Sequence, residues 1–267
     1  MILVPCEQGS PQWLSLRLGV VTASRCKEAC DRLKSGAPSQ KAIAYAAQVA
    51  FERVTGATAD DAFVSFAMRR GTELEPMARL AYEAETGNLI EEAGIAFTDD
   101  RRFGYSTDGY AADDGAIEIK CPLSALIVIT VWRTRDLSEY MHQMQMGLWI
   151  TGREWIDFVM FDPRLKPVGK ELFIERVWRN DDFIADMEAG LMSFIRLVEE
   201  YEVALRSSAA MAAPAVGCPD VRGLACRKVL HEVRGISRLH ALALMARVNS
   251  ADESNGHMVA QPLPRSD

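Results

Sequence analysis

Asp108, Glu118 and Lys120 are the residues of this chain whose types and spacing suit chemistry on a phosphate. Two carboxylate oxygens hold a hard divalent cation such as Mg2+, which keeps several of its waters and sits well beside a phosphoryl group. Such a metal lowers the pKa of a bound water, while a lysine ammonium is a compact charge that positions the nucleophile or steadies the transition state. A Glu-x-Lys triplet equally fits a solvated strand face of alternating charge, so position has to decide between the two readings.

Position comes from the stretch Phe103 to Pro122, FGYSTDGYAADDGAIEIKCP. Its strand-like runs FGYST and AIEIKC flank Ala112-Asp113-Asp114-Gly115, and an Asp-Gly between such runs predicts a hairpin. Side chains on a strand alternate, so Ile117 and Ile119 share one face and Glu118 and Lys120 the other. A three-residue loop, Asp113 to Gly115, sets Asp108 opposite Lys120 and diagonal to Glu118. A two-residue loop turns Asp108 to the wrong face.

The chain has 267 residues, 49% of them hydrophobic, enough to bury a core as one domain with an appendage. A formal net charge of -7 does not suit a protein that coats nucleic acid, although an enzyme with a local basic channel is compatible with it. Cysteines 6, 26, 30, 121, 218 and 226 form no CxxC pair, as expected of reduced thiols in a cytosolic protein. The start, MILVPCEQGS, does not read as a signal peptide, and no run approaches the roughly 18 apolar residues of a membrane span.

The remaining segments frame that hairpin. Thr22 or Ser24 is expected to cap a helix, whose free N–H groups suit a phosphate that Arg17 is close enough to share. A helix is expected over Ser39–Thr55 and another after Arg69-Arg70-Gly71, with Thr72 as N-cap and Glu75 at the capping-box position, ending at Gly87. In that reading Glu75 is a cap partner. Leu89–Thr98 reads as a strand, Glu139–Thr151 as a helix, Glu154–Phe161 and Lys170–Val177 as strands, and Asp181–Leu205 as a long amphipathic helix. Beyond Arg206 the sequence reads as a linker, one or two arginine-rich helices and a disordered end, which divides the chain into a domain over 1–205 and an appendage over 206–267. His231, His240 and His257 fall in this appendage without carboxylate partners and are assigned no role.

Taken in order, EQGSPQWLSLRLGVVTAS, RRGTELEPMA, YSTDGYAADDGAIEIKCP, YMHQMQMGLWITG and FDPR resemble the phage lambda exonuclease and YqaJ-type viral recombinase family, within the PD-(D/E)xK nucleases. The resemblance spans about Glu7 to Pro163 and implies an α/β restriction-endonuclease-like core, a central mixed sheet flanked by helices. It implies that Asp108, Glu118 and the Ile119 carbonyl bind a first Mg2+ (Mn2+ in its place), that Glu75 helps bind a second, and that Lys120 is the catalytic lysine. By the same resemblance Gln143 orders the site, and Arg17 with Thr22 and Ser24 receives a 5'-phosphate; Trp13 belongs to that motif and is read as packing. Thr107 departs from the motif, which usually has proline there. The implied activity is 5'-to-3' digestion of double-stranded DNA ends that leaves a single strand for recombination. A homo-oligomer (a trimeric ring), a single-strand annealing partner and action in a bacterial host cytoplasm come with it. Two rivals stay open: a structure-selective or restriction-like endonuclease, and a catalytically silent DNA-binding or interaction protein on the same fold.

Overall fold

The computed structural model describes residues 1–59 and 66–207, so the expectations for 208–267 lie outside the described residues. Its strands are β1 (Ile2–Val4), β2 (Val21–Thr22), β3 (Ile90–Glu91), β4 (Ile95–Phe97), β5 (Phe103–Ser106), β6 (Gly109–Ala111), β7 (Gly115–Lys120), β8 (Trp155–Phe161) and β9 (Leu172–Trp178). The helices are α1 (Pro11–Arg17), α2 (Cys26–Ala29), α3 (Gln40–Thr55), α4 (Phe66–Thr86), α5 (Ala125–Thr134), α6 (Met141–Thr151) and α7 (Asp181–Arg206). No helix among the described residues is long and apolar enough to cross a membrane, and Cys6, Cys26, Cys30 and Cys121 are free thiols.

The strands divide between two sheets, ordered β1-β4-β5-β2 and β3-β6-β7-β8-β9. One antiparallel ribbon runs through both. The pair Ile95↔Ser106 lies in the first sheet and Ile90↔Ala111 in the second, and stepping along both strands from one pair reaches the other without a slip. The segment expected as a single strand, Leu89–Thr98, is therefore one strand interrupted by a bend at Glu92-Ala93-Gly94. Opposite that bend lie Thr107 and Asp108. The first arm of the expected hairpin, FGYST, accordingly pairs in the other sheet, and the hairpin with β7 is made by β6.

The expected hairpin register needs correction. Ala111 pairs with Gly115, so the loop is Ala112-Asp113-Asp114, and extending the register brings Asp108 level with Glu118 rather than Lys120. Gly115 is not the turn residue: a Cβ there would lie 2.1 Å from the Trp155 ring, so glycine serves close packing inside the strand. The positive φ falls on Ala112 instead, at 51°. The register moves by an even number of residues, which preserves the face.

β7 runs parallel to β8, and α5 and α6 form the crossover such a pair requires. Nothing in ALIVITVWRT alternates with helical spacing, and its β-branched residues favour a strand, so α5 is poorly marked in the sequence. Ile117 and Ile119 pack with Ala78 and Tyr82 of α4, and the opposite face, with Ala116 and Phe158, joins the main core against α3, α6 and α7. Ser39 caps α3 by accepting from the Ala42 N–H, a bond worth about 1 kcal/mol, and α7 buries Met187, Leu191, Phe194, Ile195 and Val198 as its periodicity predicts.

Two expected caps are absent. α4 begins at Phe66, which places Thr72 and Glu75 inside the helix and removes the capping box. Its early turn is held by the Arg70–Asp162 ion pair at 3.3 Å, against the roughly 1 kcal/mol that Gly71 costs within a helix. After Thr22 comes only a 3-10 turn, Ala23–Arg25, and the four residues of α2, and Thr22 makes no side-chain cap bond. The chain here is too tightly turned for the capped helix expected.

Candidate active site

Asp108 sits where the ribbon leaves one sheet for the other. Gly109 follows with φ 156°, and a Cβ there would lie 2.2 Å from Ile90, so only glycine lets the chain fold back against β3. Thr107 fixes the other side. Its hydroxyl is 2.9 Å from the Ile117 carbonyl and 3.1 Å from that of Gly109, its own carbonyl accepts from Gln8 Nε2 at 2.7 Å, and it is 1% exposed. Where a proline would stiffen the backbone by its ring, this threonine does so by hydrogen bonds to the neighbouring chain.

Held in this way, the Asp108 carboxylate accepts from the Ile119 N–H at 2.6 Å. Glu118 follows the β7 alternation into the core and is 2% exposed. Lys120 Nζ donates to Glu118 Oε1 at 2.6 Å, Gln143 Nε2 donates to the same oxygen from the first turn of α6, and Tyr105 Oη lies 3.4 Å from Oε2. Burial, then the charge of Glu118, pushes the Asp108 carboxyl well above the usual carboxylate range. Burial opposes the Lys120 ammonium, but Glu118 and Asp108 outweigh it and hold its pKa up.

Glu75 lies one turn before Arg79 on α4, and burial raises its carboxyl despite that arginine. It lines two cavities of about 460 Å³ each. One is bounded by Asp108, Thr107, Gln8 and Arg79, the other by Ile119, Lys120, Cys121 and Tyr140. Glu75 is thus their shared wall, close enough to Glu118 and Lys120 for both charges to affect it.

The structure therefore brings Asp108, Glu118, Ile119, Lys120, Gln143 and Glu75 together. Among the described residues no three of His, Cys, Asp and Glu converge as ligands of one ion. The donors on offer are two carboxylates and the backbone at Ile119, a set that suits a cation keeping several waters. Asp108, Glu118 and Glu75 are three acids against Lys120 and Arg79, and burial first, then the like charge of Glu118, raises the Asp108 carboxyl, so the donor set fits such a cation.

Arg17 and Thr22 line a separate cavity of about 180 Å³ with Arg25 and Tyr45. Arg17 stacks on Trp13 at 4.0 Å, and Trp13 Nε1 donates to Ser106 at 2.8 Å, so the tryptophan is both packing and a platform tied to the strand that leads to Asp108. Burial pulls the Arg17 pKa down, as for a guanidinium poorly solvated by water. Ser24 is exposed and its hydroxyl lies 3.2 Å from that of Thr22.

Sequence reasoning missed Arg79, Tyr105 and the working part of Thr107. Arg79 has an i,i+4 spacing to Glu75 as its signal, whereas Tyr105 has none, since it reads as an ordinary apolar strand residue. In the FDPR motif, Asp162 is clamped by Arg164 at 2.6 Å and by Arg70, and Arg164 reaches the carbonyls of Pro122 and Leu123, so the motif buttresses the strand end beyond Lys120.

A family model for the YqaJ-like viral recombinase domain matches residues 12–154. Among solved structures, an alkaline exonuclease (LHK-Exo) from Laribacter hongkongensis is 37% identical with a TM-score of 0.67, over 76% of this chain and 100% of that one. LHK-Exo in complex with dAMP gives 36% and 0.66, over 73% and 96%. A phage-related exonuclease from Haemophilus somnus 129PT, 15% identical with a TM-score of 0.57 over 70% and 96%, shares the fold. No curated protein matches the chain by sequence. The α/β PD-(D/E)xK-type core expected from the motifs is the fold these neighbours have. With that fold, and a family match over more than half its length, the chain belongs to the YqaJ-like viral recombinase family.

Proposed function

We propose that this chain is a metal-dependent exonuclease that hydrolyses phosphodiester bonds from the 5' ends of double-stranded DNA, leaving a 3'-ended single strand for phage-type recombination. The observation that carries this reading is the Asp108 carboxyl, raised by burial beside Glu118 while Lys120 donates to Glu118. Asp108, Glu118 and the Ile119 carbonyl would hold Mg2+, with Mn2+ able to take its place, and Glu75 would help hold a second ion. A bound Mg2+ lowers the pKa of its water and offsets charge on the phosphate.

The protein's own groups supply the rest. Gln143, Lys120 and Tyr105 fix the rotamer of Glu118, and Thr107 with the Ile119 N–H fixes Asp108, so the carboxylates are oriented before substrate arrives. Lys120 places its ammonium beside the scissile phosphate and stabilises the charge that develops there. The Arg17 guanidinium on its Trp13 platform, with Thr22 and Ser24 beside it, receives the 5'-phosphate, and a poorly solvated cation gains most from such an anion. LHK-Exo is known with bound dAMP, a deoxynucleoside monophosphate, and release of such monophosphates is the product we assign here. A homo-oligomeric ring, a trimer by resemblance, action with a single-strand annealing protein and work in a bacterial host cytoplasm complete the proposal.

The test is time-resolved digestion of end-labelled linear duplex with Mg2+, with and without a 5'-phosphate, beside covalently closed DNA. The expected outcome is mononucleotide release from linear DNA, faster with the phosphate, and loss of that preference in Arg17→Ala. Efficient cutting of closed DNA, with Arg17→Ala unchanged on linear ends, would establish the endonuclease instead. No release from any substrate would leave a DNA-binding protein.

A further inference from the structure

Arg79 is bound to both sides of the acidic cluster. Its Nη2 donates to Glu75 Oε1 at 3.1 Å and also to the main-chain carbonyl of Asp108 at 2.8 Å. The side chain is 23% exposed, its Nε is buried without a partner among the described residues, and Nη1 stands 4.0 Å from Glu92. An ordinary i,i+4 pair on a helix surface contributes little and touches nothing else. Here one nitrogen joins the helix that carries Glu75 to the bend that carries Asp108.

We propose that Arg79 is a positioning residue that sets the distance between Glu75 and Asp108 and thereby creates the second cation site. The inference rests on the two-ion reading given above. Three carboxylates, Glu75, Asp108 and Glu118, face Lys120 and Arg79, and with its tie to Arg79 removed Glu75 is free to turn from its like-charged neighbours toward water. Charge alone does not suffice, because the two N–H bonds of the planar Nη2 group point in fixed directions, one at the Glu75 side chain and one at the Asp108 carbonyl, whereas a lysine ammonium turns freely on its stem. Arg79 touches no reacting atom. It acts through Glu75, so its loss affects the outer ion and spares the site at Asp108, Glu118 and Ile119.

The experiment is Mn2+ binding to the full chain without DNA, followed by isothermal titration and by the electron paramagnetic resonance of free Mn2+. Two binding events are expected for the native chain. Arg79→Met should keep the tighter one and weaken the other by about 10–100-fold, the usual loss when a partner that orients a ligand is removed. Arg79→Lys, which keeps the charge, should lie between them and guards against a fold lost in Arg79→Met. Glu75→Gln should weaken the same event, and adding Arg79→Met to it should change nothing further. Two undiminished events in both Arg79 variants would overturn the inference while leaving the two-ion reading intact. A single event in the native chain would overturn both. Additive losses in the double variant would show that Arg79 acts independently of Glu75, and that too would overturn it.

Discussion

Asp157, within the second sheet, and Asp108, at the bend that leads into it, are both carboxylates, and their surroundings are opposite. Asp157, 2% exposed on β8 and level with Ile117 of β7, receives a two-pronged Arg176 at 2.8 and 2.9 Å and the Tyr82 hydroxyl at 2.7 Å. Its charge is met in full. Asp108 receives a peptide N–H and shares its space with two further carboxylates, and burial first, then the charge of those neighbours, pushes its carboxyl up. A buried acid with a matched arginine holds a fold together, while acids gathered in excess of their cations leave room for a charge the protein does not carry. That contrast separates structure from function here better than burial does.

The contrast breaks most sharply when the charged residues on its two sides are removed in turn. Asp108→Ala should abolish nucleotide release and Lys120→Ala should slow it by about 10²–10⁴-fold, both with unchanged circular dichroism. Near-normal release by either would sink the catalytic assignment. Arg176→Met should do the reverse. It strands Asp157, and because Arg176 is 38% exposed the loss is about 2 kcal/mol, below the 3–5 typical of a fully buried pair, with digestion within about twofold of native. A slowed reaction at undiminished melting temperature would show that Asp157 belongs to the site after all.

The smallest effect concerns pH. The folded chain keeps the Asp108 proton in a range where the unfolded chain, with a carboxyl near 3.9, has lost it. Stability from this group is therefore whole below that value and falls as pH rises through the folded one. Melting of the metal-free protein should decline over this interval, and Asp108→Asn should flatten the decline. An unchanged slope would assign the decline to other groups.

Much of this was legible because a strand alternates. Ile117 and Ile119 against Glu118 and Lys120 needed no structure, nor did the long helix with Leu191 and Val198 on its core side. Gly115 misled because glycine answers two needs, positive φ and close packing, and a single sequence does not say which. Thr72 and Glu75 form a plausible capping box that the packing of α4 and the reach of Arg70 to Asp162 overrule. Gln143 was legible through the family resemblance alone, since a glutamine on an apolar helix carries no sign of its target. Asp108, Asp157 and Asp162 look alike in the sequence. The partners that tell them apart come from elsewhere in the fold, Arg176 and Tyr82 for Asp157, the Ile119 N–H for Asp108 and Arg70 for Asp162, which alone has a second partner, Arg164, beside it in the sequence.

The ribbon that passes through both sheets carries a consequence for misfolding. A single turn, Thr98–Phe103, closed by the Thr98 N–H on the Phe103 carbonyl, sets the pairing of β4 with β5 and, without a slip, of β3 with β6. An error of one residue there would expel Phe103 and Tyr105 from the core in the same step that turned Asp108 from its cavity. Core and site share one failure, so a misregistered chain would be visibly unfolded, and quality control that recognises exposed apolar surface would also remove the inactive enzyme.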